Sequence, residues 1–417
     1  MRKPTNLYLF TVALLTVASV LLAACAAPAT PAPTPVPPTP VPPTVAPPTV
    51  APTVAPTKPA ATAAPTVPPT VAPTATSTPK PTAAPPVVTS KQLNIYAWSE
   101  YIPQELLDAF AKEYKIKVNY DTYASNEELL AKLQAGKTDY DVIIPSDYTV
   151  GIMAAQNMLE PVDLDHIPNF VNVDDVFKNP SYDPGNKYSV PYQWGSVAIA
   201  VNTAKVTKPI AKFADLWDPA FKNNLVVLDD EREIIGMALL VLGYDKNSTD
   251  PAQLEAAKQK LIALKPNIKL YDSDSPKTAL LSGEATAGVV WNGEAALAHQ
   301  ENPKITYILP DEGMGVWYDN MAIPKGAPHK DAATAFINFV LRPDMSILIT
   351  LGFPYSSVNK AALELLKTQD PDAYKQYMDF PATNPPADAI KKGHIIIDVG
   401  DATKLWDKVW TEVKGSK

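Results

Sequence analysis

Five aromatic residues, four carboxylates and three hydroxyls stand where short apolar runs of this chain stop. Trp98, Tyr101, Tyr148, Trp291 and Trp317 offer ring faces, Glu100, Asp230, Glu233 and Asp319 offer carboxylates, and Ser99, Ser146 and Ser273 offer hydroxyls. Arg and Lys are almost absent from the same positions, the exception being Arg232. On a helix, Asp230 and Glu233 are three apart and share a face, while Arg232 points elsewhere. Acidic and aromatic groups without basic ones make a site for an organic cation. A carboxylate that is ionised at neutral pH accepts charge-assisted hydrogen bonds from ammonium groups. An indole face covers methylenes and attracts a cation, each contact being worth about 0.5–2 kcal/mol.

These residues need elements that bring them together. In residues 93–101, LNIYAWSEY, apolar Leu93, Ile95 and Ala97 alternate with polar positions, and Pro103 then opens an amphipathic helix, QELLDAFAKEY. A strand that runs straight into a helix leaves its last residues at the carboxyl edge of a parallel sheet, where open α/β sheets bind ligands. The rhythm repeats through KVNYDTYA, NEELLAKLQAG (closed by Gly136), YDVIIPSDY and TVGIMAAQNM. The third of these strands is apolar on both faces and is expected to be central. Residues 161–187 read as loop. A long extended run at 188–202, interrupted by Pro191 and Gly195, suits a crossing from one lobe to another. A second α/β block follows from 225 to about 313, and the extended run 315–324 returns the chain. Helices then dominate, and TKLWDKVWTEVK near the C-terminus is expected to pack on the second lobe. Two α/β blocks joined by two crossings describe a hinged, two-lobed α/β fold with ligand held between the lobes.

The first 90 residues are of another kind. Arg2 and Lys3 precede an apolar run from Leu7 to Ala24, which ends in Leu22-Ala23-Ala24-Cys25. Small residues before a Cys read as a bacterial lipoprotein signal, residues 1–24, cleaved ahead of a Cys25 that is then acylated. The run is also about long enough to span a membrane uncleaved, but the chain's only Cys stands at that boundary, which favours the lipid anchor. With a single Cys there is no intrachain disulfide and no thiolate metal site. Residues 25–90 continue as a disordered stalk of Pro, Thr, Ala and Val with only Lys58 and Lys80 charged. From residue 91 onward, 32 of the 36 basic residues face all 44 acidic ones, a net charge of −12. That balance argues against nucleic acid and accommodates cationic partners.

Rival chemistries find little support. Asp230 and Glu233 would suit a glycosidase pair. However, the four His (His166, His299, His329, His394) are dispersed, and neither a G-x-S-x-G nor a phosphate-cradling glycine loop occurs. Metal capture would need clustered His or Tyr and gives the Trp residues no role. No enzyme, cofactor or metal is expected.

The segments IYAWSEYIP, YDVIIPSDY, VPYQWG, LDDEREIIGMALLVLGY, VVWNG and VWYDNMAIP lie in order within residues 92–325. There the chain resembles the extracytoplasmic polyamine-binding proteins of spermidine/putrescine ABC importers. The resemblance implies a periplasmic-binding-protein-like fold, with lobe 1 at 91–195 and 316–365 and lobe 2 at 196–315 and 366–417. It also implies a monomer, lipid-anchored outside the cell, that delivers putrescine or spermidine to a membrane permease. An opine, betaine or amino-sugar is the alternative ligand. Carried over by position, the aromatic box falls on Trp98, Tyr101, Trp291 and Trp317. The amine-binding carboxylates fall on Glu100, Asp230, Glu233 and Asp319, and the polar contacts on Ser99, Ser146, Tyr148 and Ser273. Two departures stand out. Ile396 replaces a polar Gln, and Phe353 replaces a Tyr unless Tyr355 takes that place. Both remove polar contacts, so a third amine is expected to count for less than in spermidine-preferring relatives.

Overall fold

The computed structural model describes residues 87–136 and 139–416. The expected signal, Cys25 and the Pro-rich run as far as residue 86 lie outside them. At the start of the described chain, the Thr89 amide and hydroxyl both donate to Asp331, at 2.7 and 2.9 Å. The last residues assigned to the stalk are thus already tied to the folded part.

Strand β1 (Gln92–Trp98) pairs in parallel with β2 (Lys117–Tyr123) on one side and β3 (Val142–Ile143) on the other. Between β1 and β2, helix α1 (Gln104–Tyr114) buries Leu106, Leu107 and Phe110, a spacing that puts one face on the sheet. Helix α2 (Asn126–Gln134) is capped by Ser125, whose hydroxyl accepts the Glu128 amide at 3.1 Å. Helix α3 (Asp147–Ala155) starts earlier than the sequence suggested. Pro145 has no N–H to continue the ladder, and Ser146 takes the extended N-cap conformation. Asp147 and Tyr148 therefore stand on a first helical turn, not at a strand end.

The long crossing is β4 (Ser189–Asn202), buried along its whole length. Pro191 and Gly195 do not interrupt it. The register shifts between Pro191 and Gln193, which accommodates the missing N–H, and Gly195 serves a close approach described below. The second block supplies β5 (Leu225–Val227), α4 (Glu231–Val241), α5 (Pro251–Leu264), β6 (Ile268–Tyr271), α6 (Lys277–Ser282), β7 (Ala287–Trp291), α7 (Asn292–Glu301) and β8 (Ile305–Ile308). Strand β9 (Gly315–Ala322) is the return crossing. The sheet order is β2-β1-β3-β9-β4-β7-β5-β6, so two wings mirror each other across the two central crossing strands. Strand β4 pairs with β9 over residues 189–197, then with β7 and β8 beyond. Two short pairings had no sequence signal: β10 (Ser356–Ser357) on β4, and β11 (His394–Ile395) alongside β9. The C-terminal helix Thr403–Gly415 buries Trp406, Val409 and Val413 and packs on α4 and α5, in the second wing.

Candidate ligand-binding site

The parallel strands of both wings end at one cleft. Strand β1 ends on Trp98, with Ser99 and Tyr101 following; after β3 come Ser146, Asp147 and Tyr148; after β5, Asp230 and Glu233; after β6, Ser273 and Asp274; and β7 ends on Trp291. Strand β9 contributes Trp317 and Asp319 from its middle. The cleft contains about 650 Å³ of space, its mouth included, within the range of small-molecule sites. Two sequence-derived candidates, Glu100 and Phe353, are not among its lining residues. Glu100 sits at a left-handed φ of 48° and ion-pairs with Lys277. Tyr355 lines the cleft, so the polar contact expected to be lost at Phe353 is present two residues on.

Asp319 is the most closely held carboxylate. Tyr101 Oη donates to its Oδ2 and Ser146 Oγ to its Oδ1, each at 2.6 Å. Asn126, on the first turn of α2, steadies this arrangement by donating to Ser146 Oγ at 3.0 Å and accepting the Ser146 amide at 3.1 Å. Burial pushes the Asp319 carboxyl up to about 7 even though both hydroxyls act to lower it. Asp147 is pushed up to about 8, first by burial and also by the Asp319 charge. Asp230 is pushed up to about 7, by burial and then by Glu127 and Glu233. Its side chain is the N-cap of α4, accepting the Glu233 amide at 2.9 Å. Asp230 therefore precedes the helix on which the sequence placed it, yet both acids reach the cleft.

Four of the aromatic residues form one connected wall. Trp291 and Trp317 meet edge to face at 6.3 Å, Trp317 meets Tyr355 at 5.4 Å, and Tyr355 meets Tyr101 at 5.3 Å. Trp98 Nε1 donates to the Ile144 carbonyl at 2.9 Å and Trp291 Nε1 to the Ser273 carbonyl at 3.0 Å. These bonds fix the indoles at the two strand ends. Gly195 makes room for the wall: a Cβ there would lie 2.3 Å from a Trp317 ring carbon and 2.2 Å from Asn292 Oδ1. At the mouth, Ser99 Oγ donates to Asp274 Oδ1 at 2.7 Å, a bond from one wing to the other.

Several lining residues escaped the sequence reading. Asn126 and Asp147 open helices at the carboxyl edge of the sheet, which is the signal that would have found them. Asp274 follows β6 by the same rule. Behind the cleft, Lys246 Nζ donates to Glu233 Oε2 at 2.7 Å, and both side chains are buried. Neither periodicity nor strand ends mark Lys246, because it lies in the loop after α4 and acts through a neighbour. Arg232 is buried with its guanidinium over the Trp406 and Tyr148 rings, at 4.7 and 5.5 Å, and donates to the Ile397 carbonyl at 2.8 Å.

The model of the bacterial extracellular solute-binding protein family matches residues 105–382. The chain belongs to that family. It is 41% identical over 329 residues to the spermidine/putrescine-binding periplasmic protein of Salmonella typhimurium, covering 78% of this chain and 92% of that protein. The spermidine/putrescine ABC transporter substrate-binding protein PotD from Streptococcus pneumoniae superposes with a TM-score of 0.65 at 36% identity, over 78% of this chain and 99% of the other. A lipoprotein of Treponema pallidum, TpPotD, superposes with a TM-score of 0.68 at 30% identity, over 77% and 99%. The two-lobed fold is that of these binding proteins.

Proposed function

We propose that this protein captures a linear polyamine of the putrescine and spermidine class outside the cell and delivers it to the permease of an ABC transporter. The observation that carries this reading is Asp319, a buried carboxylate oriented by Tyr101 and Ser146 beside the Trp317 indole. An ammonium there gains a charge-assisted bond while its methylenes lie along ring faces. Glycosidase chemistry is not needed to account for Asp230 and Glu233, since one caps a helix and the other is paired with Lys246. Similar proteins are named for polyamine binding, which supports the same reading.

Lobe 1 is assigned to 91–195 and 316–365 and lobe 2 to 196–315 and 366–417, with the hinge in β4 and β9. The protein acts as a monomer, held at the membrane by a lipid on Cys25; the name of the Treponema pallidum lipoprotein is in keeping with such an anchor. The direct test is mass spectrometry of the small molecule that co-purifies, followed by calorimetric titration with putrescine and spermidine. Absence of binding to either amine would overturn the reading. For the anchor, Cys25→Ala is expected to abolish membrane attachment and leave amine binding unchanged; a variant that stays attached without acyl chains would refute it.

A further inference from the structure

One wall of the cleft carries its own ammonium ion. The Lys246 stem crosses Gly236 of α4, where a Cβ would lie 2.7 Å from Lys246 Cγ. Its head group reaches Glu233 beside Gly315 of β9, where a Cβ would meet Glu233 Oε2 at 2.5 Å and Lys246 Nζ at 2.8 Å. A glycine inside a helix weakens that helix, so the chain accepts a cost at Gly236 that gives this lysine its path. The side chains of Lys246 and Glu233 are 2% and 3% exposed. Among the described residues, the other cleft carboxylates, Asp147, Asp230, Asp274 and Asp319, have no lysine or arginine bonded to them. The pair is therefore a local neutralisation of one carboxylate out of several. Residues 394–397 close over it: Lys246 approaches the His394 carbonyl at 3.5 Å, Asn247 donates to the Ile395 carbonyl at 2.9 Å, and Ile396 turns an apolar side chain to the cleft.

We propose that Lys246 sets ligand specificity by acting as the resident counter-ion of Glu233, so that the cleft favours a linear diamine over a triamine. This rests on the polyamine reading above. Glu233 Oε1 is buried and has no partner among the described residues, so it is a point where a further ligand amine could bond. An ammonium on Oε1 would lie about 5 Å from the one on Oε2, and by Coulomb's law their repulsion offsets over half of the attraction to the carboxylate. Ile396 offers that amine nothing in exchange for its lost hydration. A ligand with two ammonium groups, held by Asp319 and Asp230, makes no demand on Glu233. Discrimination of this kind works by a repulsive element against the wrong ligand as much as by contacts to the right one.

The test is calorimetric titration of the purified protein with putrescine and spermidine, for wild type, Lys246→Met and Lys246→Gln. Lys246→Gln retains a hydrogen-bond donor for Glu233 and serves if the methionine variant does not fold. The wild type is expected to bind putrescine about tenfold more tightly than spermidine, and loss of the lysine charge to shift that ratio about tenfold toward spermidine. In a Glu233→Gln background the same substitution is expected to leave the ratio unmoved, which a purely structural role for Lys246 would not produce. A wild type that prefers spermidine about tenfold, or a ratio indifferent to Lys246, overturns this inference and leaves the polyamine reading standing. If neither amine binds, both fall.

Discussion

Two acids near the cleft carry opposite expectations. Asp319 accepts two hydroxyls and, among the described residues, has no cation bonded to it, so a ligand ammonium would complete it. Removing one partner of such a buried pair costs about 2–5 kcal/mol, so Asp319→Asn should weaken putrescine binding by at least tenfold in calorimetric titration. Glu100 is already engaged by Lys277 and exposed. An exposed ion pair is worth at most about 1 kcal/mol, so Glu100→Gln should change the affinity by less than about fivefold. Equal losses for the two variants would mean that Glu100 turns into the cleft when ligand arrives. Most lining side chains were legible because they follow strands, and strand ends can be read from alternation and a following helix. The pairing of Glu100 with Lys277 was not legible, because the two residues lie 177 positions apart in the chain. Lys246 was missed because its role lies in a contact made 13 residues back along the chain, with Glu233.

Among the elements, β4 and β9 were the most legible, since a long extended run between two α/β blocks has little to do except cross between them. Their interruptions were misread. Gly195 suggests a kink, whereas it lies within a continuous strand and leaves space for Trp317 and Asn292. Both neighbours are held by other packing, so an added methyl cannot be absorbed by a flexible end. Gly195→Ala should therefore cost about 1–3 kcal/mol of stability, the range for overpacking a filled core. Affinity should fall with it, because the Trp317 indole is displaced. Melting temperature and titration together check this, and an unchanged melting temperature would show that the strand can shift to admit the methyl. The start of α3 was misplaced for a different reason. Pro145 reads equally well inside a strand-end motif and as the stop before a helix, and only the pairing of its neighbours decides.

At the scale of the molecule, the raised carboxyls link proton binding to ligand binding. Asp147, Asp230 and Asp319, at about 8, 7 and 7, hold protons in the folded protein that the unfolded chain would release near pH 4. The empty protein should thus lose stability as pH rises from about 4 through 8, since the folded state binds the extra protons. A cationic ligand favours the ionised acids, so binding should release protons at pH 7 and tighten between pH 6 and 8. Titration in buffers of different ionisation enthalpy measures that release; proton uptake, or affinity that falls with pH, would contradict it. The crossing strands have a consequence for how the chain is made. Ile143 of β3 has its partner, Ala322, 179 residues later, and β4 is laid down long before β9 exists to cover it. Until β9 has emerged, the two wings lack the strand that joins them, and closing such distant pairings is slow. Assembly of the sheet therefore waits on one late strand, and a chain cut short ahead of β9 would leave its two wings unjoined.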